Sequence, residues 1–299
     1  MRKTMTSTAK ALAGATVALA FATGVATAAD EGHAHVDRQH WTFSGFFGTF
    51  DDAQLQRGFQ IYREVCSTCH GLKRVAFRNL AEKSGPNFPE AGVKSLAAEW
   101  PNQIFAGPND QGEIATPKGE IIKRPATLAD PILGPYDNDK AARAAQNGAL
   151  PPDLSLVARA RTVEADTPFY RVPLALLRDV LGSYQEGGAD YIHALLTGYV
   201  NPPADVKLSP GMNYNNTVPG HQIAMANPFA GGDGMVKYQD GTPATVDQYA
   251  RDVVAFLSWA ADPNLETRKR MGLMVILYLV VTTVLVYFAK KRVWSKIPH

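Results

Sequence analysis

A stretch of nineteen residues without a formal charge, Met271–Ala289, restricts most strongly what this chain can fold into. As an α-helix rising 1.5 Å per residue it would be about 28 Å long, close to the thickness of a bilayer's hydrocarbon core. Three basic residues precede it and four follow it, and a helix buried in a soluble core would have to bring both cationic ends to the surface. The sequence therefore predicts one membrane span at 271–289 within an anchor segment at 268–299.

The N-terminus has the three parts of a secretory signal. Three basic residues lead into an apolar stretch, Ala11–Val25, and small residues in an A-x-A pattern follow at Ala26–Ala28. The stretch is too short, and too rich in Ala, Gly and Thr, to favour a first membrane span. We expect residues 1–29 to be removed, which leaves 30–267 on the outer side of the membrane and the short C-terminal tail inside.

Charge is unevenly distributed along the chain. All 28 acidic residues lie between Asp30 and Thr267 with 20 of the 30 basic ones, so this exported part carries −8 although the whole chain carries +2. An acidic surface attracts a basic partner, and it equally keeps a domain soluble. The chain has two cysteines, which excludes a disulfide-stapled scaffold and a multi-cysteine iron–sulfur or zinc-ribbon protein.

Hydrophobic periodicity predicts a mainly α fold with long ordered loops. A helix at Ala53–Val65 carries an apolar stripe that leads into Cys66, and an amphipathic helix is predicted at Thr245–Ala261. The Pro- and Gly-rich region 84–152 predicts loops rather than a sheet. Shorter helices are predicted at Ala91–Trp100, Asp139–Asn147, Asp153–Ala160 and Ala189–Leu196.

Both cysteines belong to one C-x-x-C-H motif, Cys66–His70. Thiols three positions apart lie about one turn apart, so both can form thioethers to the two vinyl groups of one haem while His70 faces the iron. A redox dithiol would be expected in a thioredoxin-like βαβ pattern, and a zinc site would need two further ligands at suitable spacing. The motif predicts one covalently attached haem c.

The residue that faces the other side of the iron is not fixed by pattern. A thioether ligand would raise the reduction potential relative to a second histidine. The exported candidates are Met212, Met225, Met235, His193 and His221.

Several blocks of sequence resemble the cytochrome c1 family, whose members are the haem subunit of the cytochrome bc1 complex (ubiquinol–cytochrome c oxidoreductase). The resemblance covers most of the mature chain and indicates a bacterial member. The blocks are Arg57–Lys73, Asn147–Arg161, Gly187–Tyr199, His221–Phe229, Asp240–Pro263 and the RKRMGL sequence before the span.

The resemblance implies roles for individual residues. Cys66 and Cys69 would anchor the haem, His70 would be the proximal ligand, and Met225 rather than Met212 or Met235 would be the sixth ligand. Arg161 and Tyr191 match residues near the haem propionates, where a guanidinium would offset carboxylate charge. Asn147, Leu150 and Pro151 match the wall of the haem pocket.

The chain departs from the shortest family members in two respects. An extra segment, 162–186, separates Arg161 from Tyr191, which weakens the assignment of Arg161. Some bacterial relatives have a disulfide before the sixth ligand. With both cysteines in the haem motif, the loop of Met225 must rely on packing, on Pro219 and Pro228, and on hydrogen bonds.

The family's role implies an electron carrier that is no enzyme on its own. It would pass one electron from the Rieske iron–sulfur protein to a soluble c-type cytochrome, beside cytochrome b in the membrane of a respiratory or photosynthetic chain. No nucleic-acid partner is expected. The implied location is the bacterial inner membrane, with a single span, the main domain in the periplasm and a cytoplasmic tail. The alternatives are a freestanding anchored c-type cytochrome and a haem peroxidase.

Overall fold

The structure is a computed structural model that describes residues 36–108, 112–116, 118–161, 170, 172–174 and 187–295. The predicted signal at 1–29 and most of segment 162–186 lie outside these residues. The α-helices bounded within these residues are α1 (Asp52–Glu64), α2 (Glu90–Ala98), α3 (Asp139–Ala145), α4 (Val157–Ala160), α5 (Gly187–Thr197), α6 (Val246–Ala261) and α7 (Leu265–Trp294). The strands are β1 (Leu72–Ala76), β2 (Ile104–Phe105), β3 (Lys123–Arg124), β4 (Pro131–Ile132), β5 (Asn213–Tyr214) and β6 (Gln222–Ile223).

The core is built around the crossing of α1 and α6. Gly58 lies at the crossing, where a Cβ atom would stand 2.1 Å from the carbonyl oxygen of Asp252. That close approach lets Phe59 pack edge-to-face on Phe256 with ring centroids 5.6 Å apart. Beside them the Arg57 guanidinium meets the fully buried Asp252 carboxylate at 2.9 Å, which supplies the partner that a buried charge requires.

The helix α5 packs against α6, and α4 packs against both. A second glycine makes this possible, because a Cβ atom on Gly188 would lie 1.9 Å from the carbonyl oxygen of Ala158 and 2.5 Å from that of Arg161. The two ends of segment 162–186 are therefore brought together by the contact between α4 and α5.

The strands form short antiparallel pairs: β1 with β4, β2 with β3, and β5 with β6. Two of these pairs use residues from region 84–152, where the sequence predicts loops rather than a sheet. The pairs β2–β3 and β5–β6 consist of two residues on each strand. The prediction of long ordered loops is confirmed in outline. The two-residue strands could not be predicted, because they are too short to show an alternating pattern.

The helix α7 contains the predicted span and extends past it at both ends. It has 30 residues, an 18-residue window with a mean hydropathy of 2.4, and none of that window is buried against the rest of the chain. The helix is long and apolar enough to cross a membrane. Its flanks stay helical because Lys and Arg are good helix formers, and it begins just after Pro263, where the chain leaves α6.

The helix predicted at Asp153–Ala160 is wrong at its start. The observed α4 begins at Val157, because the side chains of Asp153 and Ser155 accept hydrogen bonds from the backbone of β1 instead. Short polar side chains that bind backbone groups compete with helix formation in this way. The other predicted helices agree with the structure to within about two residues.

Candidate haem site

The C-x-x-C-H motif follows directly on α1 and forms a tight turn. The amide groups of Cys69 and His70 both donate to the carbonyl of Cys66, at 3.1 and 2.9 Å. Both cysteines are half-buried free thiols, and burial raises the pKa of the Cys66 thiol to about 12. The turn places two thiols within one helical turn of each other, beside the histidine that ends the motif.

The imidazole of His70 is oriented by a backbone carbonyl. Its Nδ1 lies 2.7 Å from the carbonyl oxygen of Pro152, which can accept a hydrogen bond but not donate one. Nδ1 therefore carries the proton, and Nε2 keeps its lone pair free to bind a metal. Burial lowers the pKa of His70 and favours the neutral form that a metal ligand needs.

The carbonyl of Pro152 is fixed because the chain after it is bonded along β1. The amide of Lys73 donates to the Asp153 carboxylate at 2.8 Å, and the amide of Leu154 donates to the carbonyl of Gly71 at 2.9 Å. From the other side, the Tyr62 hydroxyl donates to the carbonyl of His70 at 3.1 Å. His70 is thus held at its backbone and at its ring.

A cavity of about 710 Å³ opens beside Cys69, with Leu150 and Pro151 in its wall. At its edge the amide of Gln146 contacts the Cys69 sulfur at 3.6 Å and donates to the Tyr136 hydroxyl at 2.6 Å. A space of this size beside the Cys69 thiol is large enough for a flat prosthetic group the size of a haem. Leu150 and Pro151 lie where pocket-wall residues are expected.

Met225 lies in a loop that packs against the core. Its side chain is half-buried and packs against the hydrophobic core, as the side chain of Tyr191 also does. The hydroxyl of Tyr199, two residues beyond the end of α5, donates to the carbonyl of Met225 at 3.0 Å. Four residues further on, Phe229 is buried and packs on the Tyr249 ring. The loop is therefore attached to the core on both sides of its methionine.

Three of the other candidate sixth ligands, His193, His221 and Met235, are engaged elsewhere or exposed. The Nε2 atom of His193 lies 2.9 Å from the Asp247 carboxylate, and the ring of His221 stacks on Tyr214. Met235 is exposed and leans on Gly231. Met225 remains the sixth ligand that the resemblance implies.

The remaining predicted residues fall into two groups. The carbonyl of Arg161 meets Gly188, three residues before Tyr191 on the same helix, so the structure joins two positions that segment 162–186 separates in sequence. Asn147 is exposed and has a positive φ of 50°, which shapes the turn after α3 but does not place its side chain in the cavity.

Three residues that hold the site were not predicted from sequence. Pro152 aims His70, Tyr199 holds the loop of Met225, and Gln146 contacts Cys69. The proline and the tyrosine lie inside the matched blocks, but both act on residues that are distant in sequence. No local pattern could have identified them.

A mainly helical domain with a C-x-x-C-H turn, a histidine aimed by a carbonyl and one apolar anchor helix defines a membrane-anchored cytochrome of the c type. The chain belongs to the Cytochrome C1 family, which it matches over residues 41–297. Membership makes it a haem-binding electron-transfer protein.

Curated relatives agree with this assignment. The chain is 44% identical to "Cytochrome c1" of Blastochloris viridis over 87% of this chain and 86% of that protein. It is 42% identical to "Cytochrome b-c1 complex catalytic subunit, mitochondrial" of Candida albicans, over 91% of this chain and 82% of the relative. It is also 43% identical to "Cytochrome b/c1" of Bradyrhizobium diazoefficiens over 89% of this chain, and it spans 36% of that longer relative.

Proposed function

We propose that this protein is the electron-carrying subunit of a quinol–cytochrome c oxidoreductase. In this proposal it takes one electron at a time from a Rieske iron–sulfur protein and passes it to a soluble c-type cytochrome. The observation that carries the proposal is the His70 imidazole, whose Nε2 lone pair is left free by the hydrogen bond to Pro152 beside two half-buried thiols. Family membership supplies the class of reaction.

One haem would be held by four side chains. Cys66 and Cys69 would form the thioethers, His70 would bind the iron through Nε2, and Met225 would bind it through sulfur. When bound, the haem supplies a one-electron centre whose potential depends on its two axial ligands. Pro152 keeps the imidazole in one tautomer, Tyr199 holds the methionine loop, and Leu150 and Pro151 line the cavity.

The proposed topology places the domain in the periplasm. A signal at 1–29 would be removed, residues 30–267 would lie outside the inner membrane, and α7 would cross it once to a cytoplasmic tail. The apolar side chains of α7 point away from the rest of the described chain, as a lipid-facing or partner-facing helix requires.

The proposed partners follow from the apolar helix α7 and from the acidic charge of the exported domain. Cytochrome b is the proposed neighbour of α7, a proposal supported by a relative whose name joins cytochromes b and c1. The excess of acidic residues between Asp30 and Thr267 suits a basic soluble cytochrome, whose encounter rate would fall as salt screens the attraction.

The test is gentle detergent purification of the full-length protein from its own membranes. We expect haem-dependent peroxidase staining on a denaturing gel, a reduced-minus-oxidised spectrum of a six-coordinate haem, and co-purification of cytochrome b. A Cys66→Ser/Cys69→Ser variant of the same chain is the control that must lose the stain.

The rival functions give different results in the same experiment. A freestanding carrier would purify without cytochrome b. A haem peroxidase would bind cyanide readily in its native state and turn over peroxide, because one face of its iron is open. Absence of the stain from the wild-type chain would overturn the haem assignment altogether.

A further inference from the structure

The arm before α1 exposes two adjacent aromatic side chains. Phe43 and Phe50 are buried, and the Phe43 ring stacks on Trp41 with centroids 5.5 Å apart. By contrast Phe46 is 46% exposed and Phe47 is 81% exposed. Exposing two neighbouring phenylalanine rings to solvent is unfavourable in free energy. Such an apolar patch marks a surface that meets an apolar partner.

The exposure is imposed by the shape of the loop. The amide of Thr49 donates to the carbonyl of Thr42 at 3.1 Å and closes the loop at its base. Gly45 has a positive φ of 71°, and a Cβ atom on Gly48 would lie 2.0 Å from the carbonyl oxygen of Ser44. Both glycines are required by the backbone, so the tip between them projects in one defined way.

The loop is bonded to the first turns of α7. The ammonium group of Lys269 donates to the carbonyls of Phe43 and Gly48, at 2.6 and 3.2 Å, and the amide of Phe50 donates to the Glu266 carboxylate at 2.9 Å. Lys269 stands two residues before Met271, which is about 3 Å along the helix axis. The base of the loop therefore lies at the level where the charge-free stretch begins.

We propose that the loop tip Phe46–Phe47 inserts into the headgroup and acyl boundary of the bilayer that α7 spans, on the side of the folded domain. A lipid surface is the occupant that the position favours, because the loop is tied to the helix where the apolar stretch starts. Arg270 follows the tie and carries a charge that suits lipid phosphates, whereas Arg268 is paired with Asp262. The tip would fix the tilt of the domain on the membrane. The proposal rests on α7 as a span and on none of the haem assignments.

The test uses the full-length, haem-loaded protein in vesicles of phosphatidylcholine and phosphatidylglycerol. A nitroxide is attached at Phe47→Cys, and its collisions with lipid-soluble oxygen and with a water-soluble nickel chelate are compared. Matched variants carry the label at Val280→Cys in the middle of α7 and at Lys140→Cys on the exposed face of α3. The wild-type chain, treated in the same way, gives the background to be subtracted.

We expect the ratio of oxygen to nickel collisions at Phe47→Cys to be several-fold higher than at Lys140→Cys and closer to that at Val280→Cys. A ratio equal to that at Lys140→Cys would overturn the proposal. Shielding from both reagents would also overturn it, since it would mean that protein covers the tip. A water-like ratio at Val280→Cys would remove the span itself. Phe46→Cys repeats the measurement if Phe47→Cys fails to accumulate.

Discussion

The two axial sides of the candidate haem site are built by different means. The His70 side is bonded through main chain and side chains to α1, β1 and the segment that begins at Pro152. The Met225 side is a loop between the two-residue strand β6 and the core, held through Tyr199 and the burial of Phe229. One proposed ligand is positioned by bonds to the core elements, and the other is held by local packing.

This difference indicates where the site can open. Loops with few buried contacts unfold locally at lower free energy than core elements do. An exogenous ligand should therefore compete with Met225 and leave His70 in place. The hydrogen bond from Tyr199 and the packing of Phe229 hold this loop without a disulfide, since both cysteines lie in the C-x-x-C-H motif.

The largest expected effect comes from removing the proposed ligand His70. His70→Ala should abolish the six-coordinate spectrum and reduce electron transfer below detection, because Nε2 of His70 is the group that the fold aims. His221→Ala is the matched control, since that ring stacks on Tyr214 outside the site. A wild-type spectrum in His70→Ala would mean that another residue is the proximal ligand.

Met225→Leu should keep the haem and the fold but lower the reduction potential. The swap nearly conserves volume, so its stability cost stays below about 1.5 kcal/mol. Axial ligands tune haem potentials over roughly 0.8 V, and loss of the thioether should cost on the order of 0.1 V. Redox titration measures the shift, and Met212→Leu should leave it unchanged. An unaltered potential in Met225→Leu would reassign the sixth ligand.

Tyr199→Phe should loosen the methionine loop without removing its ligand. The lost hydrogen bond is worth about 1 kcal/mol, which corresponds to roughly a fivefold gain in cyanide affinity. Tyr136→Phe makes the same change on the cysteine side of the site and should leave cyanide binding unaffected. Equal effects from the two variants would contradict the contrast between the two sides.

The smallest expected effect is on how stability depends on pH. It concerns Asp130, which directly precedes β4 in the β1–β4 pair. The bidentate Arg124 guanidinium, with Thr127, holds the pKa of Asp130 well below its ordinary value of 3.8. A lowered folded pKa gives stability that is present above the unfolded value and is lost as the pH falls through the folded one.

Asp130→Asn should therefore be less stable than wild type near neutral pH, with a difference that shrinks below about pH 4. Chemical unfolding at a series of pH values measures it. Cyanide affinity should not change, because this carboxylate supports the His70 side. A constant difference across the pH range would show that the carboxylate charge contributes nothing.

Sequence patterns predicted the parts of the fold that depend on neighbours along the chain. The bounds of α1 and α6 were predicted from apolar stripes. In the structure, the side chains of Asp51 and Thr245 cap these helices by accepting from the amides of Gln54 and Gln248. The motif at Cys66–His70 is equally local. Such features are visible because three or four residues of spacing are enough to define them.

What could not be predicted depends on contacts between distant residues. The bond from His70 to Pro152 spans 82 positions, and no spacing rule foretells it. Selecting Met225 among three methionines needed the family resemblance, since all three lie in turn-rich sequence. The late start of α4 also depends on a contact between distant residues, because the Asp153 carboxylate accepts a hydrogen bond from the amide of Lys73.

The contact of Gly188 with the carbonyls of Ala158 and Arg161 bears on how the family can diversify. When the two ends of a segment lie close together in a fold, that segment can be lengthened, shortened or replaced with little strain on the rest of the structure. The stretch from 162 to 186 is thus a natural graft point. New docking elements could be acquired there while α5, which carries Tyr191, keeps its packing on α6.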